Sequence, residues 1–266
     1  MSGAVLKPRA ALEARVDLSS VTPGTFAGLS LREIEQMMLP CGGRAVPLAE
    51  LFFVERGPEG SLVIEIGDPR LDHVGAKMDG GELLVDGPVG AWAGHGMSGG
   101  TLRIAGGTGD FLGAELSGGR IKVAGRAGAR LGAASSGSRR GMSGGVIRIT
   151  GSAGPRAAER QRGGLIVIEG DAGEGLATEM IAGTVCVLGA IGPLMGRGMK
   201  RGTVLTRTVP ELPAGFVDTG TQELIALQLM ARRVPDLSGF LDKATRARRL
   251  VGDVLLGGQG EVLVPE

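Results

Sequence analysis

Aliphatic side chains recur along the middle of the chain in two columns, each with a period of nineteen residues. Leu83, Leu102, Ile121, Ile147, Ile166, Val185 and Val204 form the first, and Val85, Ile104, Val123, Ile149, Ile168 and Val187 the second. Between the columns lies one residue of opposite orientation, as in Leu102-Arg103-Ile104 and Ile121-Lys122-Val123, the period-two alternation of a strand. Each phrase opens on a glycine (Gly81, Gly100, Gly119, Gly145, Gly164, Gly183, Gly202), and a second glycine follows the strand at Gly87, Gly106, Gly125, Gly151, Gly170 and Gly189. One seven-residue insertion, before Gly145, interrupts the period. The pattern predicts short strands at equal intervals, stacked in parallel.

At about 3.3 Å per extended residue, a coil of this length has a perimeter of about 60 Å, enough for three short sides. Each repeat is too glycine-rich and too poor in apolar residues for a helix pair. The sequence therefore predicts an all-β chain built on a right-handed parallel β-helix of about seven or eight coils, with small α-helical caps. Of the 50 glycines, 37 fall between residues 60 and 207, which divides the chain into an N-terminal cap (1–59), the repeat (60–207) and a C-terminal cap (208–266). In the first cap, Ser30 and Glu33 form a capping box ahead of Leu31, Ile34 and Met38, and Pro40 with Gly42-Gly43 ends the helix. In the second, Thr219 and Gln222 open a helix carrying Leu224, Leu227 and Met230, closed by Pro235. A basic helix over Ser238 to Val251 and two short strands, Val254-Leu256 and Val262-Val264, complete the expectation.

Composition narrows the function. The formal net charge of +1 gives no global field for nucleic acid or membrane. No stretch has the length of a signal peptide core or a membrane span, so a cytoplasmic protein is expected. Cys41 and Cys186 lack metal-ligand spacing, and a strand position makes Cys186 a buried free thiol. Two histidines, His73 and His95, stand without metal-ligand companions, so no metal site is predicted. Ser98 and Ser143 sit in Met-Ser-Gly-Gly corners as turn residues, with no nucleophile elbow. Asp68, Asp72, Asp79 and Asp86 fall at scattered registers, and at 3% aromatic residues the chain is a poor carbohydrate enzyme. No catalytic residue is assigned.

Charge is locally patterned. Arg103, Lys122 and Arg148 share one outward position in successive coils, about 4.8 Å apart under parallel stacking. Such a column fits either an anionic partner or a solvated face with acidic neighbours such as Glu115 and Glu169. Arg139 and Arg140 in the insertion, and Lys200-Arg201 at a later corner, are further candidates for an anionic contact. Higher in the same column stand Val167, Cys186 and Leu205, predicted to form an apolar patch on which a partner docks.

The phrases Gly81-Glu-Leu-Leu-Val-Asp-Gly87, Gly94-His-Gly-Met97-Ser-Gly-Gly100 and Gly141-Met-Ser-Gly-Gly145-Val-Ile-Arg-Ile-Thr-Gly151 resemble the GxGxG repeat domain. That domain is shared by the C-terminal part of the glutamate synthase large subunit and by the C subunit of formylmethanofuran dehydrogenase. Pro47-Leu-Ala-Glu-Leu-Phe52 leading into Gly60, and the length of the chain, resemble the latter. The 24 arginines against 5 lysines favour the bacterial setting, the formyltransferase/hydrolase complex, over the tungsten or molybdenum dehydrogenase of methanogens. The resemblance implies a non-catalytic subunit of a hetero-oligomer with a formyltransferase subunit, an amidohydrolase-like hydrolase subunit and a further subunit. Formyl would pass from tetrahydromethanopterin to a methanofuran-type cofactor and leave as formate. The polyglutamyl chain of such a cofactor is then a candidate partner for Arg103, Lys122 and Arg148, and an acidic subunit surface is the other. The class-level rival is a stand-alone β-helix enzyme or binding module with its site in the corner loops.

Overall fold

The computed structural model describes residues 3–211 and 215–266. An N-terminal segment holds β1 (Gly3–Pro8), β2 (Val16–Asp17), α1 (Pro23–Phe26), α2 (Leu31–Glu35), β3 (Met38–Cys41), β4 (Arg44–Pro47), α3 (Leu48–Leu51) and β5 (Phe52–Gly57). The repeat follows with β6 (Ser61–Ile64), β7 (Leu71–Asp72), β8 (Glu82–Val85), β9 (Thr101–Ile104) and β10 (Arg120–Val123). It continues through β11 (Val146–Ile149), β12 (Leu165–Ile168), β13 (Thr184–Val187) and β14 (Thr203–Thr206). The C-terminal segment carries β15 (Val217–Glu223), α4 (Ile225–Arg233), α5 (Pro235–Ser238), β16 (Arg246–Gly252) and β17 (Gly260–Pro265). The chain is all-β in character, and among the described residues no helix is long and apolar enough to cross a membrane.

The strands of the repeat line up in one 13-stranded sheet, in the order β15-β16-β17-β14-β13-β12-β11-β10-β9-β8-β6-β1-β5. From β1 to β17 neighbours run parallel, and from β8 to β14 the register advances by one repeat per strand, with Leu83 beside Leu102, Ile121, Ile147, Ile166, Val185 and Val204 in turn. The insertion falls between β10 and β11 and leaves the pairing undisturbed, because it is absorbed at a corner. Smaller parallel bridges join successive coils at a second place, through Val89 and Thr108, and through Ala127, Ala153, Ala172 and Ile191. A third set of backbone bonds joins Ser98 to Met78, Ser117 to Met97 and Ser143 to Leu116.

Both predicted columns face the core. Every residue of the first is buried completely, and those of the second are at most 3% exposed. Burying each aliphatic side chain is worth about 1.5–3 kcal/mol. A further column at the corners, Met78, Met97, Leu116, Met142, Met180 and Met199, fills the remaining space, with Gln161 standing in the same register and donating to the carbonyls of Gly163 and Gly164. Glycine is required where coils approach closely: a Cβ at Gly118 would overlap the carbonyl oxygen of Ser98, and one at Gly144 that of Ser117.

The ends differ from expectation. They are built chiefly of strands, because a sheet edge leaves unpaired backbone groups that a strand satisfies better than a helix. The Ser30–Glu33 capping box forms, yet α2 stops at Glu35, and Met38 and Pro40 belong to β3, paired antiparallel with β4. Thr219 and Gln222 lie in β15, and the helix starts only at Ile225. The expected basic helix over Ser238 to Val251 is instead the end of α5, a turn segment and β16, which pairs antiparallel with β17; Ala247 packs beneath the C-terminal helices and Leu250 against the main core, on opposite faces of the strand. Val254–Leu256 is a 3-10 turn, while Val262-Val264 is strand, inside β17.

Candidate functional site

The outward residues between the two aliphatic columns form one continuous row across the sheet: Val63, Leu84, Arg103, Lys122, Arg148, Val167, Cys186, Leu205 and Leu263. The structure thus brings the three predicted cations together on adjacent strands. Apolar residues flank them on both sides, and the two flanks have different fates.

On the C-terminal side, Val167, Cys186 and Leu205 are at most 2% exposed. Leu227 of α4, Leu237 of α5, and Leu241, Ala244 and Ala247 pack over them. The expected docking patch is therefore covered by the chain's own C-terminal segment. Apolar residues at 227, 237 and 241 are close along the chain and find this row before any partner is needed. Burial pushes the Cys186 thiol up to about 12, against the lowering influence of Arg207 and Arg148. With so little thiolate at pH 8, Cys186 is expected to resist alkylation in the native chain while half-buried Cys41 reacts. Thiol counting before and after unfolding checks this: one modified cysteine native, two denatured.

On the other side, the row opens into a groove of about 660 Å³, lined by Leu84, Arg103, Lys122, Arg148 and, from α5, Asp236. Arg103 meets Glu82 at 2.9 Å. Arg148 reaches Glu169 at 2.6 Å, and its guanidinium donates to the Asp236 backbone carbonyl at 3.4 Å. Arg120 donates to both Asp236 carboxylate oxygens, at 2.7 and 2.9 Å, fastening α5 to the sheet. Lys122 has no hydrogen bond or ion pair among the described residues and is exposed. Acidic neighbours thus compensate two members of the column, and the middle one keeps an uncompensated charge. With Leu84 and Val63 half-buried nearby, the groove offers one free ammonium above an apolar floor.

The remaining predicted cations are dispersed. Arg140 and Arg201 are exposed on the surface. Arg139 and Lys200, far apart in sequence, line a second and larger cleft. The insertion that carries Arg139 is held by the Ser135 hydroxyl and amide on Glu115 and by Arg160 donating to the Ser138 carbonyl at 3.2 Å. Burial pushes the Glu115 carboxyl up, but the Ser135 and Ser138 hydroxyls, the Ser135 amide and nearby His95 together hold it below its usual range.

One arrangement is absent from the sequence-based expectations. His73, Trp92, Phe111 and Arg130 occupy the same corner in four successive coils, each with φ near +60°. The Trp92 and Phe111 rings stack with centroids 4.0 Å apart, His73 lies parallel to Trp92 at 6.1 Å, and Arg130 sits 5.5 Å from the Phe111 centroid. His95 meets Trp92 edge-on at 5.1 Å and stands 4.0 Å from Glu115. Burial lowers the His95 imidazole, opposed by Glu115. The signal that could have found this corner is the nineteen-residue spacing of the flat side chains, hidden because their residue types differ. The acidic residues also have structural work: Asp72 accepts from the Ala91 amide and Asp110 from the Ala129 amide, each one coil on. Among the described residues, no group of three or more His, Cys, Asp or Glu is placed to hold a metal ion.

No protein-family model matches the chain. Among curated proteins, it is 39% identical over 85 residues to the C subunit of the formyltransferase/hydrolase complex Fhc of Methylorubrum extorquens, an alignment covering 32% of each chain. It is 33% identical over 94 residues to the C subunit of the molybdenum-containing formylmethanofuran dehydrogenase 1 of Methanothermobacter thermautotrophicus, covering 35% of this chain and 24% of that one. The sequence alignments thus span a third or less of these relatives' lengths. The structural likeness is far broader: a chain in the crystal structure of the formyltransferase/hydrolase complex (FhcABCD) from Methylorubrum extorquens, solved with methylofuran, superposes with a TM-score of 0.92 at 37% identity. That match covers 98% of this chain and 99% of the other. The chain belongs to the family of C subunits of formyltransferase/hydrolase complexes, homologous to the C subunits of formylmethanofuran dehydrogenases.

Proposed function

We propose that the chain is the non-catalytic, structural subunit of a cytoplasmic formyltransferase/hydrolase complex. Formyl would move from formyl-tetrahydromethanopterin to a methanofuran-type cofactor at a formyltransferase subunit and be released as formate at an amidohydrolase-like subunit, the hetero-oligomer holding one further kind of subunit. The observation that carries the reading is the end-to-end likeness to a chain of a complex solved with methylofuran. The stacked coils make a parallel β-helix the natural description of the scaffold, with caps at residues 1–59 and 208–266 around the repeat at 60–207. A rigid array of this kind presents wide sides to neighbouring subunits. The dehydrogenase alternative rests on the partial sequence alignments to the C subunits of the molybdenum- and tungsten-containing enzymes.

The groove over Arg103, Lys122 and Arg148 is the contact we assign to an anionic partner group, either an acidic subunit surface or the carboxylates of the cofactor. Lys122 decides it, because its charge is uncompensated and its replacement disturbs no internal bond. Lys122→Glu is expected to leave the melting temperature of the isolated chain unchanged, as for most exposed positions. The same substitution should weaken association with the co-expressed partner subunits at least about tenfold. Mass measurement of the co-purified assembly tests the wider reading. Formyltransferase and amidohydrolase-like chains support it, molybdopterin and iron-sulfur subunits reassign the chain to a dehydrogenase, and a free monomer removes the scaffold role.

A further inference from the structure

The larger cleft, about 980 Å³, opens where the corners of the last coils meet the C-terminal segment. Arg139, Arg156, Arg160, Arg162, Arg197 and Lys200 line it. The chain neutralises only part of this charge: Arg156 meets Glu159 and Arg160 meets Glu179, each at 2.8 Å. Asp253, the other acid at the cleft, accepts instead from the Leu255 amide at 3.1 Å. Arg139, Arg162, Arg197 and Lys200 have no anionic partner among the described residues. Like charges gathered around one depression repel, and an anionic occupant relieves that repulsion.

The opposite wall is apolar. Leu255 and Leu256 are 73% and 66% exposed, beside Val254 at 45%. Their turn is fixed in place: the Asp253 amide donates to the Met199 carbonyl at 3.1 Å and the Gln259 amide to the Lys200 carbonyl at 2.7 Å, both on the last coil. Two leucines held out in water on a rigid turn, facing a row of free guanidinium groups, match a chain that carries carboxylates on one side and an aliphatic or aromatic side chain on the other. A small free anion would use the cations and leave the leucines wet.

We propose that this cleft docks an acidic segment, bearing at least one large apolar side chain, of a partner subunit. The proposal rests on the reading of the chain as a subunit, and goes beyond it in naming the surface and the chemistry of its partner. It is independent of the groove over Lys122, which belongs to the outer row of the sheet.

The test uses the chain co-expressed with the other subunits of the complex. A photo-crosslinking amino acid, p-benzoylphenylalanine, placed at Leu256 should capture a partner peptide in which Asp and Glu outnumber Lys and Arg. The double variant R162E/R197E should suppress that crosslink and weaken assembly at least about 100-fold. The isolated variant should melt as the wild type does, since both arginines are exposed and unpaired. A captured peptide without acidic excess, or unchanged assembly of R162E/R197E, overturns the proposal. So does tight binding of a hexaglutamate probe to the isolated wild-type chain that is lost in R162E/R197E while assembly stays intact, because the cleft would then serve a free polycarboxylate. If the wild-type chain joins no other subunit at all, it is the subunit reading that fails, and the docking proposal with it.

Discussion

Leu205→Asp is expected to detach the C-terminal segment from the sheet. The side chain is completely buried between Cys186 on one strand and Leu263 on the other, beneath the leucines of the C-terminal helices. Truncating such a leucine costs about 2–5 kcal/mol, and leaving a carboxylate in its place without a counter-charge adds to that. Against a typical total stability of about 5–15 kcal/mol, the loss removes the local fold even where the coils survive. Trypsin should then cut first at Arg232, Arg233, Arg246, Arg248 and Arg249, with the repeat left intact, and the melting transition should fall and split. Leu205→Met, which keeps the volume, should cost less than about 1.5 kcal/mol. If Leu205→Asp instead melts normally and only prevents association with other subunits, the row faces a partner and the self-covered reading is wrong.

Gly118→Ala is the second large effect. The added methyl would meet the carbonyl oxygen of Ser98 on the preceding coil, a backbone atom that cannot rotate away. Relief requires two coils to separate locally, and we expect about 3 kcal/mol of destabilisation, the upper part of the overpacking range. Gly137 is the control. It has φ of +86° and nothing within 4 Å of where a methyl would stand, so Gly137→Ala tests backbone conformation without crowding and should cost about 1–2 kcal/mol. Chemical denaturation of the three proteins separates the two causes. Gly118 has no positive φ, so a loss there smaller than that of Gly137→Ala would show that the coils yield to the added methyl and that close approach does not demand this glycine.

The repeat is legible because its signal is redundant. Seven glycines and two aliphatic columns state the same register, so pairing from β8 to β14 can be read directly from the chain. The ends carry no such redundancy. There, capping residues and apolar spacing suggest helices, but the unpaired edge of the sheet imposes strands on the segments beside it, as at β16. The basic column follows from register alone, yet its electrostatics do not: nothing in sequence order says that Asp236 comes to Arg120 and Arg148. The same long-range return decides the fate of Val167, Cys186 and Leu205. Their apolar character is real and their need for cover is met, by residues of the same chain.

The constant advance of one strand per repeat also makes the molecule a graduated rule. Each coil adds about 4.8 Å along the stack, so the spacing between any two surface features is set by counting repeats between them. Excision of one whole repeat would preserve the inward and outward alternation of every remaining strand, and a length change confined to a corner, like the seven-residue insertion before Gly145, leaves it intact as well. The stack can therefore gain or lose height only in whole coils, whatever length its corner loops take. Each such step would displace whatever is fastened to one end from whatever is fastened to the other by one fixed interval.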